Sequence, residues 1–189
     1  MTTTFDRVAT EQTQTQATWQ IDPAHTNVGF SVKHLMIATV RGRFAGVKGT
    51  IVLNEVDPTS SSAEVEIDVA TIDTRAVQRD AHLRSADFFE VEKYPTMTYR
   101  SRRVERVGDG HYRIFGDLTI RDVTREVVLD ATDEGRGRDP WGGDRLGFSA
   151  TTTIDRSDFG LAWNQALETG GVLVGNEIKI SIDVEALKV

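Results

Sequence analysis

The sequence predicts an all-β fold: an eight-stranded antiparallel barrel with a helix in the connection after the third strand. Three observations lead there. Apolar side chains recur at every second position through most of the chain, as half-buried antiparallel strands require. Turn signals such as Asp57-Pro58, Gly108-Asp109-Gly110 and the stretch from Gly135 to Gly143 separate these runs. An apolar, Gly-rich segment, Phe159 to Gly175, lies before the last strand and is suited to closing or lining a mouth. A two-sheet sandwich shows the same alternation. Barrel closure has the advantage of removing every exposed sheet edge.

The elements follow in chain order. Residues 1–18 are rich in Thr and Gln, with Phe5 and Val8 the only large apolar side chains, and are expected to form a flexible tail ahead of a domain spanning 19–189. They lack the basic start and apolar run of a secretory signal, so the expected location is the cytoplasm. Val28, Phe30 and Val32 alternate with Gly29, Ser31 and Lys33 to make the first strand. Arg43 to Leu53 makes the second, with Gly42, Gly46 and Gly49 marking a bend or bulge. Val65, Ile67 and Val69, opposed by Glu64, Glu66 and Asp68, make the third. A helix follows from Arg75 to about Phe89, capped by Asp73 or Thr74, with Val77, Ala81, Ala86 and Phe88-Phe89 as its apolar stripe.

The fourth strand, Thr96 to Val107, carries Met97 and Tyr99 and shifts phase near Arg102-Arg103. Tyr112, Ile114, Gly116, Leu118 and Ile120 share one face of the fifth, and Val127, Leu129 and Ala131 one face of the sixth. Leu146, Phe148, Ala150, Thr152 and Ile154 form the seventh. The last is the cleanest, with Ile178, Ile180, Ile182 and Val184 alternating with Glu177, Lys179, Ser181, Asp183 and Glu185. At about eight strands a barrel interior either fills with side chains or holds one small ligand.

Composition narrows the function. The chain has 189 residues, 39% hydrophobic, with 16 Gly and no Cys, which suits one domain without disulfides, thiolate metal sites or Cys nucleophiles. Lys and Arg number 22 against 29 Asp and Glu, and the net charge of −7 disfavours nucleic acid as a partner. No run reaches the roughly 18–20 apolar residues of a membrane-spanning helix. Phosphate-binding glycine loops and the Gly-x-Ser-x-Gly elbow are absent. His25, His34, His82 and His111 lack metal-site spacing, so neither metal nor cofactor is expected. Asp22 and His25, three apart, read as a hydrogen-bonded turn in preference to a metal site completed by His34.

The motifs, read in order, form a family pattern. They are Trp19-Gln-Ile-Asp22-Pro-Ala-His25, Val28-Gly-Phe30-Ser-Val-Lys-His34-Leu-Met, Val40-Arg-Gly42-Arg-Phe44, and Arg79-Asp80-Ala-His82-Leu83 running on to Asp87-Phe88-Phe89. Tyr94-Pro95, Gly116-Asp117-Leu118-Thr119-Ile120, Arg156-Ser-Asp158-Phe159-Gly160 and Gly175-Asn-Glu177-Ile178 complete them. From about Trp19 to Val189 the chain resembles the YceI-like family of polyisoprenoid-binding proteins. The resemblance implies a lipocalin-like barrel with an apolar tunnel for an isoprenoid chain, and a homodimer as a common assembly. The chain departs from many relatives in lacking a secretory signal, and has Asn176 where Asp is often found.

The favoured function is therefore a non-enzymatic binding protein that sequesters or carries a polyisoprenoid lipid, a quinone or a prenyl chain, inside the barrel. Its candidate lining is Val28, Phe30, Val32 and Phe44 early in the chain, then Ile67, Met97, Tyr99, Ile114 and Leu118. Leu129, Phe148, Trp163, Ile178, Ile180 and Ile182 complete it. A polar head group at the mouth would find donors in His25, His34, Arg41 and Arg43, with Trp163 beside them. The alternatives are an enzyme acting on a hydrophobic substrate in the same barrel, with His25 or Tyr99 as acid or base, and an interaction module whose barrel is filled.

Overall fold

The computed structural model describes residues 15–189. Nine strands form one antiparallel sheet: β1 (Gln16–Ile21), β2 (Asn27–His34), β3 (Ala38–Asn54), β4 (Ser62–Asp73), β5 (Thr96–Gly108), β6 (His111–Ile120), β7 (Val123–Arg138), β8 (Asp144–Asp155) and β9 (Val174–Lys188). From β2 to β9 each strand pairs with the next in sequence, and β2 pairs back with β9. These eight close the barrel expected from the alternation.

The ninth strand is half of an interrupted stave. β1 and β2 both run between β3 and β9, β1 at one end of the barrel and β2 at the other. Trp19 faces Ile51 and Val28 faces Phe44, so nine steps on one side match seven on the other, and two extra residues are extruded at the break. Asp22 organises that break, its Oδ1 accepting from the Ala24 N–H at 2.9 Å. Buried Thr26 replaces the missing ladder contact, its Oγ1 meeting both the N–H and the carbonyl of Glu185. Residues 16–18, expected in the tail, thus belong to the barrel; Ala17, Trp19 and Ile21 alternate with Gln16, Thr18 and Gln20. Residues 1–14 of the expected tail lie outside the described residues.

Both expected irregularities are register shifts, between Phe44 and Gly46 and between Ser101 and Arg103. Three more, between Val32 and His34, between Arg106 and Gly108, and between Asp133 and Gly135, have no counterpart among the expected irregularities.

The helix is α1 (Val77–Arg84), shorter than expected and differently anchored. Its capping position is Ala76, which offers no side-chain bond. Asp80 in the first turn instead reaches back to accept from the Thr74 N–H at 2.9 Å and from its hydroxyl. Arg84 at the far end donates to the carbonyls of Ala70 and Ile72 on β4 at 2.9 and 2.8 Å. Val77, Ala81 and Ala86 of the expected stripe are exposed. Eight residues make barely two turns, too few for a stripe to seat; polar anchors fix the helix, and Leu83, Phe88 and Phe89 supply the apolar contact.

Candidate functional site

A filled eight-stranded barrel would bury every inward side chain. Here Phe30, Val65, Ile114, Leu118, Leu129, Phe148, Ile178, Ile180 and Ile182 face inward yet are only half-buried. The space they surround is a cavity of about 300 Å³. All fourteen strand residues singled out above, from Val28 to Ile182, border it. Two glycines widen it. A Cβ on Gly42 would stand 2.4 Å from the Phe30 ring, and one on Gly116 2.6 Å from the Tyr99 ring. Each glycine lets an aromatic ring lie against the wall instead of across the lumen.

One end of the cavity is capped. Leu83, Phe88, Phe89 and Leu161 border it beneath α1 and the segment after β8. Trp163, expected among the ligand contacts, does not itself border the cavity: its ring packs edge-on against His82 at 4.7 Å and tilted against Phe88 at 5.3 Å, locking helix and segment together. Arg156, only 4% exposed, holds the segment by donating to the carbonyls of Leu161, Trp163 (2.8 Å) and Gly175 (2.9 Å). Burial pulls its pKa down, and no carboxylate lies within salt-bridge distance among the described residues. Arg121 ties the β6–β7 turn to the same cap through the Phe88 carbonyl and the Glu90 carboxylate at 3.0 Å. The segment from Phe159 to Gly175 thus closes an end, as its apolar content implied.

The opposite end is the mouth, bordered by Pro58, Ser61, Tyr112, Asp133 and Arg136, the last of these exposed. None of His25, His34, Arg41 or Arg43 borders the cavity. Arg41 and Arg43 alternate with Gly42 and Phe44, whose inward direction sends the arginines outside; Arg43 faces Asp73 at 3.7 Å. His34 ends β2 at the capped end, beyond a register shift. His25 stands on the exterior, on the strand break. Sequence reasoning missed Arg136 because the bulge on β7 after Asp133 changes which side chains face inward; Asp133 continues the inward alternation of Val127, Leu129 and Ala131, but a search for apolar lining passes over a carboxylate.

The enzyme alternative finds no acid or base free in the lumen in the residues it named. The Tyr99 hydroxyl donates to backbone carbonyl oxygen, 2.9 Å from that of Ile114 and 3.3 Å from that of Val127, and burial pushes its pKa well above the usual phenol value. His25 belongs to a surface network. Its Nδ1 lies 2.9 Å from Asp22, and Arg145 donates to Asp22 (2.6 Å), Glu185 (2.8 Å) and Asp139 (3.0 Å). His34 takes no part in this network; Glu185 stands where it was expected as a third metal-binding group. Arg145 already supplies the positive charge between Asp22 and Glu185.

This network sets a pH dependence. The hydrogen bonds from His25 and then Arg145 hold the Asp22 carboxyl at about 2, and the Asp22 hydrogen bond with the Glu185 charge raises His25 above its usual value. A raised histidine stabilises the fold below its unfolded pKa of about 6.5, and that contribution is lost as pH rises through the folded value. A depressed carboxyl acts above its unfolded value of about 3.9 and its contribution is lost toward pH 2. The expected result is a melting temperature that falls as pH rises above about 6.5 in the parent and is flatter in His25→Gln, followed by thermal denaturation at several pH values. Both side chains are solvent-accessible, so the difference is small.

Comparison with known proteins places this architecture. Residues 19–186 match the YceI-like domain family. A UPF0312 protein of Vibrio cholerae is 38% identical over 138 residues, 73% of each chain. The crystal structure of the YCEI protein of Campylobacter jejuni superposes with a TM-score of 0.71 at 34% identity, covering 88% of this chain and 95% of that one. A polyisoprenoid-binding domain from Saccharophagus degradans, implicated in plant cell wall breakdown, shares the fold at a TM-score of 0.66 and 13% identity, over 90% and 98% of the two chains.

Proposed function

The chain belongs to the YceI-like family, and from that premise we propose that it sequesters or carries a polyisoprenoid lipid, a quinone or a prenyl chain, within its barrel. One observation carries the reading: inward apolar side chains from the barrel strands are half-buried around a continuous apolar cavity that is capped at one end. A volume of about 300 Å³ sits at the lower end of the range for small-molecule sites, about 300–1,000 Å³. The ligand named for the S. degradans domain agrees in kind.

The energetics are those of apolar burial. At about 0.8 kcal/mol per methylene, the five carbons of one isoprene unit contribute about 4 kcal/mol before the cost of ordering the chain. Affinity therefore saturates after a few units, near the practical limit of about 18–21 kcal/mol. Chain length is then selected by where the tunnel stops, and the cap built from Leu83, Phe88, Phe89 and Leu161 is that stop.

Denaturing the purified protein and analysing its organic extract by mass spectrometry is expected to yield a prenyl lipid in stoichiometric amount. A protein that arrives without lipid and then takes up neither a quinone nor a prenyl alcohol from detergent solution would remove the proposal.

A further inference from the structure

Polar side chains are unevenly spread along the cavity. At the capped end Arg156 has its guanidinium committed to backbone carbonyls. At the mouth, Ser61, Ser101, Asp133 and Arg136 gather. The hydroxyls of Ser61 and Ser101 each accept a backbone N–H, from Asn54 and Ala63, and keep their own proton to donate.

Arg136 reaches this mouth because of the bulge. Asp133 pairs with Phe148, but the next matched pairs are Gly135 with Gly147 and Arg136 with Leu146, so Glu134 is extruded. Gly135, at a φ of +102°, takes the backbone conformation that the bulge needs. Residues directly opposite share a face of the sheet, and Leu146 is buried inside the barrel, so Arg136 stands on the lumen side. Uninterrupted alternation from Ala131 and Asp133 would have sent it into solvent. Its guanidinium makes no hydrogen bond or ion pair among the described residues. Asp133 faces the same opening, one carboxylate oxygen accepting from the Gly135 N–H at 2.9 Å.

Resting on the lipid-binding reading, we propose that Arg136 and Asp133 form a head-group site at the mouth for an isoprenoid with an uncharged oxygen head, a hydroxyl or a quinone carbonyl, whose tail lies toward the α1 cap. A diphosphate wants several convergent cations. Here it would meet a single guanidinium beside a carboxylate, on a chain of net charge −7. A neutral oxygen accepts from Arg136, and a hydroxyl also donates to Asp133.

The test is a set of binding isotherms with geranylgeraniol, geranylgeranyl diphosphate and a saturated C20 isoprenoid hydrocarbon, on the full chain and on Arg136→Ala. The alcohol is expected to bind at least about tenfold more tightly than the diphosphate. Arg136→Ala is expected to weaken the alcohol about tenfold, the scale of one hydrogen bond to a charged group, and to leave the hydrocarbon unchanged. Arg136 is exposed and unpaired, so its loss leaves the barrel folded. A diphosphate that binds as tightly as the alcohol, or an alcohol affinity indifferent to Arg136→Ala, overturns the head-group site while leaving lipid binding intact. If none of the three binds the parent, the lipid-binding reading falls and this site with it.

Discussion

The Ile180→Trp barrel is expected to stay folded and to lose its lipid. Ile180 lies on β9 opposite Phe30 on one side and Thr152 on the other, and its half-buried side chain borders the cavity. In a close-packed core, added volume costs about 1–3 kcal/mol through forced rotamers and shifted backbone. In a hollow lumen the indole covers wall that is otherwise exposed, and each Å³ of cavity removed is worth about 24 cal/mol. Stability should therefore hold or rise. Affinity for a prenyl alcohol should fall at least about a hundredfold, since the indole displaces about one isoprene unit and its roughly 4 kcal/mol of burial. Thermal denaturation and a binding isotherm read the two effects separately. Lost stability with unchanged binding would mean that the lumen is already filled, and would favour an interaction module whose surface matters.

Arg156→Met is expected to give the largest loss of stability. Three backbone carbonyls, those of Leu161, Trp163 and Gly175, would lose a charged donor inside the cap. Val174 is spared, because its carbonyl also accepts from the Asn164 side chain at 2.8 Å. Hydrogen bonds to charged groups are worth about 1.5–3 kcal/mol each, and release of the guanidinium from burial offsets part of the sum. A net cost of about 3–5 kcal/mol remains, or on the order of 10 °C in melting temperature for a domain of this size. Arg156→Lys should recover little, since one ammonium cannot match the planar fork that spans the three carbonyls. Lipid affinity should fall alongside, because Leu161 and Trp163 lose their anchor. A melting temperature within a degree or two of the parent would show that the apolar contacts of Phe159 and Leu161 hold the segment unaided.

How far the sequence foretold this varies from residue to residue. Period-two alternation locates the barrel strands because each has a lumen side and a solvent side, and that contrast is written into every second residue. β1 carries the same signal in Ala17, Trp19 and Ile21, but only six residues long and merged with a Thr- and Gln-rich tail. The bulge at Arg102 was readable because the apolar positions on both sides disagree in phase. The one at Glu134 was not, since Gly135 and Gly137 have no apolar side chain to betray a change of face. That is why the basic residue at the mouth is Arg136, while His25, Arg41 and Arg43 lie on the exterior and His34 ends β2 at the capped end. Whether inward residues fill the lumen or frame it is also beyond alternation, because both cases place the same residue types on the same face. The glycine–aromatic pairs Gly42–Phe30 and Gly116–Tyr99 join different strands, and their contact exists only once the register is set.

The strand break has a consequence for the order of assembly. β9 contacts both halves of the interrupted first stave, so Asn27 meets Asp183 across nearly the whole chain. Every pairing from β2 through β8 can form hairpin by hairpin as the polypeptide emerges from the ribosome. The seam cannot, and until the last strand arrives β2 and β8 remain open edges able to recruit strands from other chains. Closure is thus the late, non-local step that gives such topologies slow folding. A circular permutant that joins the present ends by a linker and opens the chain at the exposed Gly170-Gly171 turn would begin at β9, placing both seam partners early in synthesis.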